Sequence, residues 1–212
     1  MTVVNQATLL LLLAVLGTKA ACTPEQCDIT ALSVFGTWVL VWSVSDNLEA
    51  TELLENLTSS VIELRLLPDN TTIVYNERNM FQDKSCTKYF INMSMPSDSD
   101  SAAPLRSVGA FHKDGVLSEF NDPGRVEFFV SCSDCLMMVY RGDIGNFLLS
   151  YRREGQHQDV EQLKASHSDN KKLAECLRFP HDKPFIYDGA AGQFLWAGIS
   201  PRVKVLSAKC QS

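Results

Sequence analysis

Long apolar runs, basic charge and histidine are all scarce in this chain of 212 residues. Its longest apolar run, residues 7–17, is too short to span a bilayer, which takes about 20 residues, and no other stretch is a candidate. The 19 lysines and arginines are outnumbered by 25 aspartates and glutamates, which gives a net charge of −6. Because phosphate binding needs clustered basic residues, we expect no nucleic-acid partner, and we expect no stable membrane insertion.

Signatures of metal and catalytic sites are also missing. The four histidines are scattered, and the Cys-x-x-Cys motif at Cys132 and Cys135 has no second copy with which to hold zinc. No Ser/His/Asp grouping is visible, so an enzyme would have to use a reactive cysteine, and a haem would need His112 as its ligand. We therefore predict no metal, no cofactor and no enzymatic activity.

The apolar run forms the core of a leader-like N-terminus. Small residues follow it, as in a signal peptide, although residues 1–6 lack the usual lysine or arginine. We therefore predict that residues 1–20 are a signal peptide, cleaved after Ala20, and that residues 21–212 form a single domain. A buried N-terminal helix is the alternative. The signal-peptide interpretation predicts an extracellular protein.

The cysteines and the glycosylation sequons agree with secretion. All seven cysteines follow the predicted cleavage site, and wide spacing in a secreted chain indicates disulfides. Cys132 and Cys135 are expected to bridge a tight hairpin turn. Three Asn-x-Ser/Thr sequons predict surface glycans at Asn56, Asn70 and Asn92.

Short β-like runs separated by turn residues dominate the chain up to residue 153. They are Thr37–Val44, Ser60–Leu67, Thr72–Met80, Thr87–Met95, Arg106–Phe111, Val116–Phe120, Val126–Cys132, Cys135–Arg141 and Asn146–Arg153. This spacing predicts an antiparallel sandwich or barrel, although the two runs around residues 113–115 fit one bent strand or two. Helical spacing of apolar residues then predicts one helix over about residues 158–177, and a tail over residues 180–212 follows.

The order of these features resembles the lipocalin family. Gly36-Thr37-Trp38 stands at the mouth of the first predicted strand, and the strand array is followed by one helix and a tail that contains Cys210. The segments Phe147–Tyr151 and Leu173–Pro180 resemble α1-acid glycoprotein, a member of that family. The segment Trp38–Ser43 is most similar to a fish branch that contains saxitoxin- and tetrodotoxin-binding proteins and tributyltin-binding proteins.

The resemblance implies an all-β fold with one α-helix. An eight-stranded up-and-down antiparallel β-barrel would cover about residues 35–154, the helix would pack outside it, and a disulfide would tether the tail. Family position implies the long-range bridges Cys27–Cys176 and Cys86–Cys210, which would leave Cys22 over.

Side-chain alternation assigns an inward face to each predicted strand, because one face of a small barrel lines its interior. Trp38 sets the parity of the first strand, and an outward glycan on Asn92 turns its neighbours inward. Pairing of Cys132 with Cys135 puts Glu127 inside. The resulting ligand-binding set is Leu40, Trp42, Leu64, Tyr75, Glu77, Tyr89, Ile91, Met93, Glu127, Phe129, Met138, Tyr140, Leu149 and Tyr151.

Two points of this assignment stay open. On the third strand either Glu77 or Arg78 faces inward, because a one-residue bulge exchanges the two faces. Glu127 lies inside the cup, at its wet rim, or in an ion pair with Arg78. For the aromatic positions, plain core packing is the alternative to ligand binding.

A carboxylate among aromatic rings suits a cationic ligand, since each ring face attracts a cation with ~0.5–2 kcal/mol. We therefore predict a secreted carrier that binds a small amphipathic or cationic ligand in the barrel cavity. The resemblance adds saxitoxin, tetrodotoxin and organotin or other xenobiotic compounds as candidate ligands. The alternative is a glycoprotein module, immunomodulatory or acute-phase-like, that acts through protein contacts and has a non-functional cavity.

Overall fold

The computed structural model describes residues 34–94, 105–113, 116–120 and 124–189. The strands are β1 (Gly36–Ser45), β2 (Leu57–Leu66), β3 (Thr72–Phe81), β4 (Cys86–Ser94), β5 (Leu105–Lys113), β6 (Val116–Phe120), β7 (Arg125–Cys132), β8 (Cys135–Gly142), β9 (Gly145–Arg153) and β10 (Phe185–Ile186). Two helices accompany them, α1 (Leu48–Asn56) and α2 (Val160–Leu177). The predicted signal peptide, Cys22, Cys27 and Cys210 lie outside the described residues.

The described strands form one antiparallel sheet that closes on itself. Its order is β10-β1-β2-β3-β4-β5-β7-β8-β9, and β1 also pairs with β9. Strands β6 and β7 pair with the same edge of β5, one after the other. The sheet therefore holds more strands than the eight that the resemblance implied, because β6 is separate from β7 and β10 is added beside β1.

Two apolar clusters occupy the two faces of this sheet. The inner cluster lies inside the barrel and includes side chains such as Trp38, Ile62 and Phe128. The outer cluster joins Trp42 on β1 to Ala174 on α2, so it lies between the sheet and this helix. The sheet thus has an interior face and a face that the helix covers.

Helix α2 has clear start and stop signals in the sequence. The Asp159 carboxylate accepts a hydrogen bond from the Gln162 backbone N–H (3.0 Å), which satisfies a donor of the first turn. Arg178 ends the helix in the left-handed conformation, with φ at 64°. Leu163 and Ala174 are buried on the side that faces the barrel. The helix thus falls within the range predicted from apolar spacing.

The hairpin between β7 and β8 carries a disulfide. Cys132 and Cys135 are bonded, with their Cα atoms 4.8 Å apart, which confirms the bridge predicted from their spacing. Cys86 and Cys176 each take part in a further disulfide. Their predicted partners, Cys210 and Cys27, lie outside the described part of the chain, so these two pairings stay predictions.

The three predicted glycosylation sites are at accessible positions. The side chains of Asn56, Asn70 and Asn92 are all exposed. Asn92 lies on β4 between the buried residues Ile91 and Met93, so its side chain points away from the barrel interior. Attachment of glycans to these asparagines stays a prediction.

Candidate ligand-binding cavity

A cavity of about 330 Å³ lies inside the barrel, and most of its wall is apolar. It reaches the protein surface beside α1 and the turn between β8 and β9, because the exposed residues Glu49, Leu53 and Ile144 belong to its wall. Such a space, with a few polar groups among apolar side chains, is typical of a site for a small organic molecule.

Most of the side chains that the sequence assigned to the ligand do line this cavity. These are Leu40, Tyr75, Glu77, Tyr89, Ile91, Met93, Met138, Tyr140 and Leu149. Leu64 and Tyr151 are buried in the inner cluster but do not belong to the cavity wall.

The inward assignment of Trp42 is wrong. The pairing of β1 with β9 shifts by one residue between Leu40 and Trp42, because Leu40 pairs with Tyr151 while Trp42 pairs with Ser150. This bulge turns Trp42 to the outer face of the sheet, where it is fully buried in the cluster beneath α2. Strict alternation from Trp38 therefore fails after Leu40.

The inward assignments of Glu127 and Phe129 are wrong for the same reason. The pairing of β7 with β8 shifts between Val130 and Cys132, so parity counted back from the disulfide is inverted. Phe128 packs in the inner cluster, whereas Phe129 packs in the outer cluster beneath α2. Glu127 shares the parity of Phe129 and is absent from the cavity wall.

The third strand adopts the register with Glu77 inside. Tyr75, Glu77 and Asn79 on β3 all line the cavity. Arg78 is exposed on the opposite face. His112, the haem ligand considered above, alternates with Phe111, which stacks on Tyr89 beside the cavity (ring centroids 5.9 Å apart). His112 thus points away from the cavity, and this geometry gives no axial ligand for a haem inside it.

Helix α1 was missed by the sequence analysis, although it forms one wall of the cavity mouth. The Asn47 side chain caps it by accepting hydrogen bonds from the backbone N–H groups of Glu49 (2.8 Å) and Ala50 (3.3 Å). Ala50 and Leu54 are its buried residues, and both line the cavity. The signal was present as an asparagine cap followed by strong helix formers, but it was hidden between two β-like runs.

Glu77 is the charged group deep in the cavity. Its Oε2 atom accepts a hydrogen bond from the Tyr75 hydroxyl (3.0 Å), and its Oε1 atom accepts one from the Ser60 hydroxyl (3.1 Å). The Asn79 amide is a third partner. Glu77 keeps some accessible surface because it lines the cavity, but protein surrounds it on all sides.

This environment changes the acidity of the groups around Glu77. Burial raises the pKa of Glu77, although its hydrogen bonds with Tyr75, Asn79 and Ser60 oppose that shift. Burial and the nearby Glu77 charge raise the pKa of Tyr89 to about 12. The same two causes raise the pKa of Tyr75 and of Tyr151 well above the usual value. The tyrosines therefore stay neutral around a carboxyl that is costly to ionise.

No cation of the described chain compensates this carboxyl. The ion pairs formed within the described residues do not include Glu77. The cavity wall contains no lysine, arginine or histidine among those residues. Within the same ranges, no three His, Cys, Asp or Glu side chains gather closely enough to hold a metal ion. Neither described helix is long and apolar enough to cross a bilayer.

A closed antiparallel sheet around an internal cavity, with a helix packed outside, defines a lipocalin-type barrel. The solved structure of the siderocalin Ex-FABP has the same fold, with a TM-score of 0.52 and 12% sequence identity over 73% of this chain and 93% of that one. No protein-family model matches the sequence.

The sequence itself connects this barrel to a particular group of fish proteins. It is 48% identical over 191 residues to saxitoxin and tetrodotoxin-binding proteins 1 and 2 of Takifugu pardalis, a match that covers 86% of this chain and 48% of each relative. The chain is thus similar in sequence to these two proteins and has the barrel fold of Ex-FABP, which agrees with the resemblance stated above. It spans about half the length of the curated relatives it matches.

Proposed function

We propose that this chain is a carrier that holds a small amphipathic cation in the barrel cavity, without any bond-making chemistry. One observation carries the proposal: Glu77 lines an apolar cavity of about 330 Å³ and has no ion-pair partner among the described residues. A buried carboxylate is costly unless a positive charge lies beside it. A cationic ligand would supply that charge.

The rest of the cavity wall suits the apolar portion of an amphipathic cation. The rings of Tyr75, Tyr89 and Tyr140 line the wall beside apolar side chains such as Met138 and Leu149. Aromatic faces attract cations, and the apolar surface stabilises a hydrophobic portion by burial at roughly 25 cal/mol per Å². Charge and apolar surface in the same space favour an amphipathic molecule over a purely polar one.

The names of the relatives narrow the class of ligand. Both Takifugu proteins are named for saxitoxin and tetrodotoxin, which carry guanidinium groups. We propose guanidinium toxins as the first ligands to test for this chain. An organotin or other xenobiotic compound is the second choice, because Glu77 would have less to offer a molecule without N–H donors.

We further propose that the carrier works outside the cell. The disulfides at Cys86, Cys176 and the Cys132–Cys135 pair support this, because disulfides persist in oxidising compartments. The leader-like residues 1–20 point the same way. Glycans on the three exposed sequon asparagines would be consistent with this location.

The test compares two charge-removing variants in titration calorimetry with tetrodotoxin and saxitoxin. Glu77→Gln should weaken binding by roughly tenfold or more, because it removes the buried counter-charge. Glu127→Gln is the matched control, since Glu127 lies outside the cavity, and it should bind like the unmodified chain. Equal affinities of all three proteins would overturn the role of Glu77. Absence of binding to the unmodified chain would favour the alternative of a glycoprotein that acts through protein contacts.

A further inference from the structure

We propose that Glu77 is a proton-linked latch: a cationic ligand and a proton at this carboxyl exclude each other, so the ligand is held at neutral pH and released on acidification. This inference rests on the proposed function, because it needs the ligand charge to lie beside Glu77. It adds a regulation of the same site that affinity at a single pH would not reveal.

The geometry of the carboxyl supports the latch. Donors approach both oxygens, from the Ser60 hydroxyl to Oε1 (3.1 Å) and from the Tyr75 hydroxyl to Oε2 (3.0 Å). These donors hold the side chain in one place and favour its charged form, against the effect of burial. Because the wall around it is apolar and supplies no cation, burial favours the neutral acid in the empty cavity and raises the pKa of Glu77.

Loading is then an exchange of one positive charge for another. The neutral carboxyl gives its proton to water or buffer through cleavage of the O–H bond, and the electron pair stays on the oxygen. The ligand enters as a cation and stays a cation. The charge inside the cavity is zero before loading, with COOH, and zero after it, with the carboxylate and the ligand together. Acidification reverses the exchange.

Glu77 is the buried carboxyl among the polar groups that face this space. Tyr75, Tyr89 and Tyr140 line it from β3, β4 and β8, and Tyr151 on β9 is buried in the inner cluster. The pKa values of Tyr75, Tyr89 and Tyr151 are raised, that of Tyr89 to about 12. Ser60 and Asn79 do not titrate in this range. Glu49 on α1 is a second carboxylate of the wall, but it is exposed at the mouth. A Glu49→Gln variant therefore separates the two carboxylates.

The direction of the pH effect follows from mass action. Above the pKa of Glu77 in the empty cavity, the carboxylate is already formed and affinity for a cation no longer depends on this group. Below that pKa, each unit of acidification should reduce the apparent affinity by up to about tenfold, because the proton must leave first. A neutral ligand of the same shape gains nothing from the charged form and should not lose affinity in acid.

The experiment uses benzamidinium as the cationic probe and benzamide as its neutral counterpart, with the full chain. Titration calorimetry is run from about pH 4.5 to about pH 8 in pairs of buffers with different ionisation enthalpies, which reports the number of protons released per ligand bound. We expect benzamidinium affinity to fall in acid, up to one proton to be released around the midpoint, and Glu49→Gln to keep both effects. Benzamide should release no proton.

Several results would overturn the latch. Benzamidinium that binds with a constant affinity and releases no proton across this range would leave the carrier function standing and refute the latch. Loss of proton release in Glu49→Gln would assign the linkage to the mouth instead. Proton release that persists in Glu77→Gln would likewise show that Glu77 is not the linked group. If neither benzamidinium nor the toxins bind at any pH, the proposed function and the latch fall together.

Discussion

The Arg153 guanidinium lies 4.2 Å from the centre of the Trp38 ring, at the closed end of the barrel. The indole Nε1 donates to the Val34 carbonyl (2.9 Å), and Arg153 Nη1 donates to the Phe35 carbonyl (3.2 Å). Arg153 also pairs with Asp134 in the turn between β7 and β8 (3.4 Å). This cluster therefore ties the start of β1 to the end of β9 and to the neighbouring turn.

Replacement of Trp38 or Arg153 should destabilise the fold, although neither residue lines the cavity. Trp38→Ala should lower the free energy of unfolding by ~3–5 kcal/mol, because the ring is fully buried. Arg153→Met should cost about 1–3 kcal/mol through the lost cation–π contact and hydrogen bond. Urea denaturation measures both. Arg65→Met is the control, since its ion pair with Glu63 is on the surface and should contribute at most about 1 kcal/mol.

Two bulges mark the limit of what parity counting could predict. The inward residues of β4 and β8 followed from alternation, because their pairing is regular around Ile91 and Met138, whereas on β3 the sequence left either Glu77 or Arg78 inward. Parity failed for Trp42 and Glu127, because each lies beyond a register shift that leaves the hydrophobic pattern intact on both faces. In β1 both sheet faces are apolar around Trp42, so no polar residue marked the outward side. In β7 the charged residues Arg125 and Glu127 did mark the outward side, but parity counted back from Cys132 assigned the opposite face.

Charge placement in the cavity was predicted for one of the two glutamates assigned to it. Aromatic residues around a carboxylate followed from the sequence, and the cavity wall does contain a carboxylate with tyrosines. Glu77 of the predicted set lines the cavity deep inside the barrel, whereas Glu127 does not line it, and the placement of both depended on strand registers that the sequence left open. Helix α1 was not predicted from the sequence either. Its nine residues stand between β-like runs and bury few side chains, among them Leu54, so its apolar pattern is weak.

Loss of the Cys132–Cys135 bridge should destabilise the fold less than loss of a bridge that closes a long loop. The closed loop is short, so the chain-entropy model gives a stabilisation of about 2 kcal/mol. The bridge lies at the start of β8. The cavity mouth is at the other end of this strand, beside the turn into β9. The double variant Cys132→Ser/Cys135→Ser should therefore unfold at a lower urea concentration, by roughly 1 M, and bind ligand with unchanged affinity. A clear loss of affinity would contradict the separation of these two ends.

Gly145 should be far less tolerant than Gly155. Both have positive φ, +127° and +88°, so alanine is strained at either position by about 1–3 kcal/mol. A Cβ atom at Gly145 would also lie 2.9 Å from Asn47 Cβ, at the cap of α1, whereas at Gly155 it would meet nothing within 4 Å. Gly145→Ala should thus lower the melting temperature more than Gly155→Ala and also weaken ligand binding. Equal effects of the two variants would mean that α1 is not held in place by this contact.

Glu77→Gln should make the protein more stable at neutral pH, although it should impair binding. Burial raises the pKa of Glu77 above its ordinary value of 4.5, so between these two values the folded state binds more protons than the unfolded state. The stability of the unmodified protein contributed by this group therefore falls as pH rises through that window. A glutamine has no such dependence. The difference in unfolding free energy between Glu77→Gln and the unmodified protein should accordingly grow from about pH 4.5 upwards and level off above the raised pKa.

Urea denaturation at a series of pH values measures this difference, with Glu63→Gln on the outer face of β2 as the control. A difference that shrinks with rising pH would show that the folded protein stabilises the charged form of Glu77.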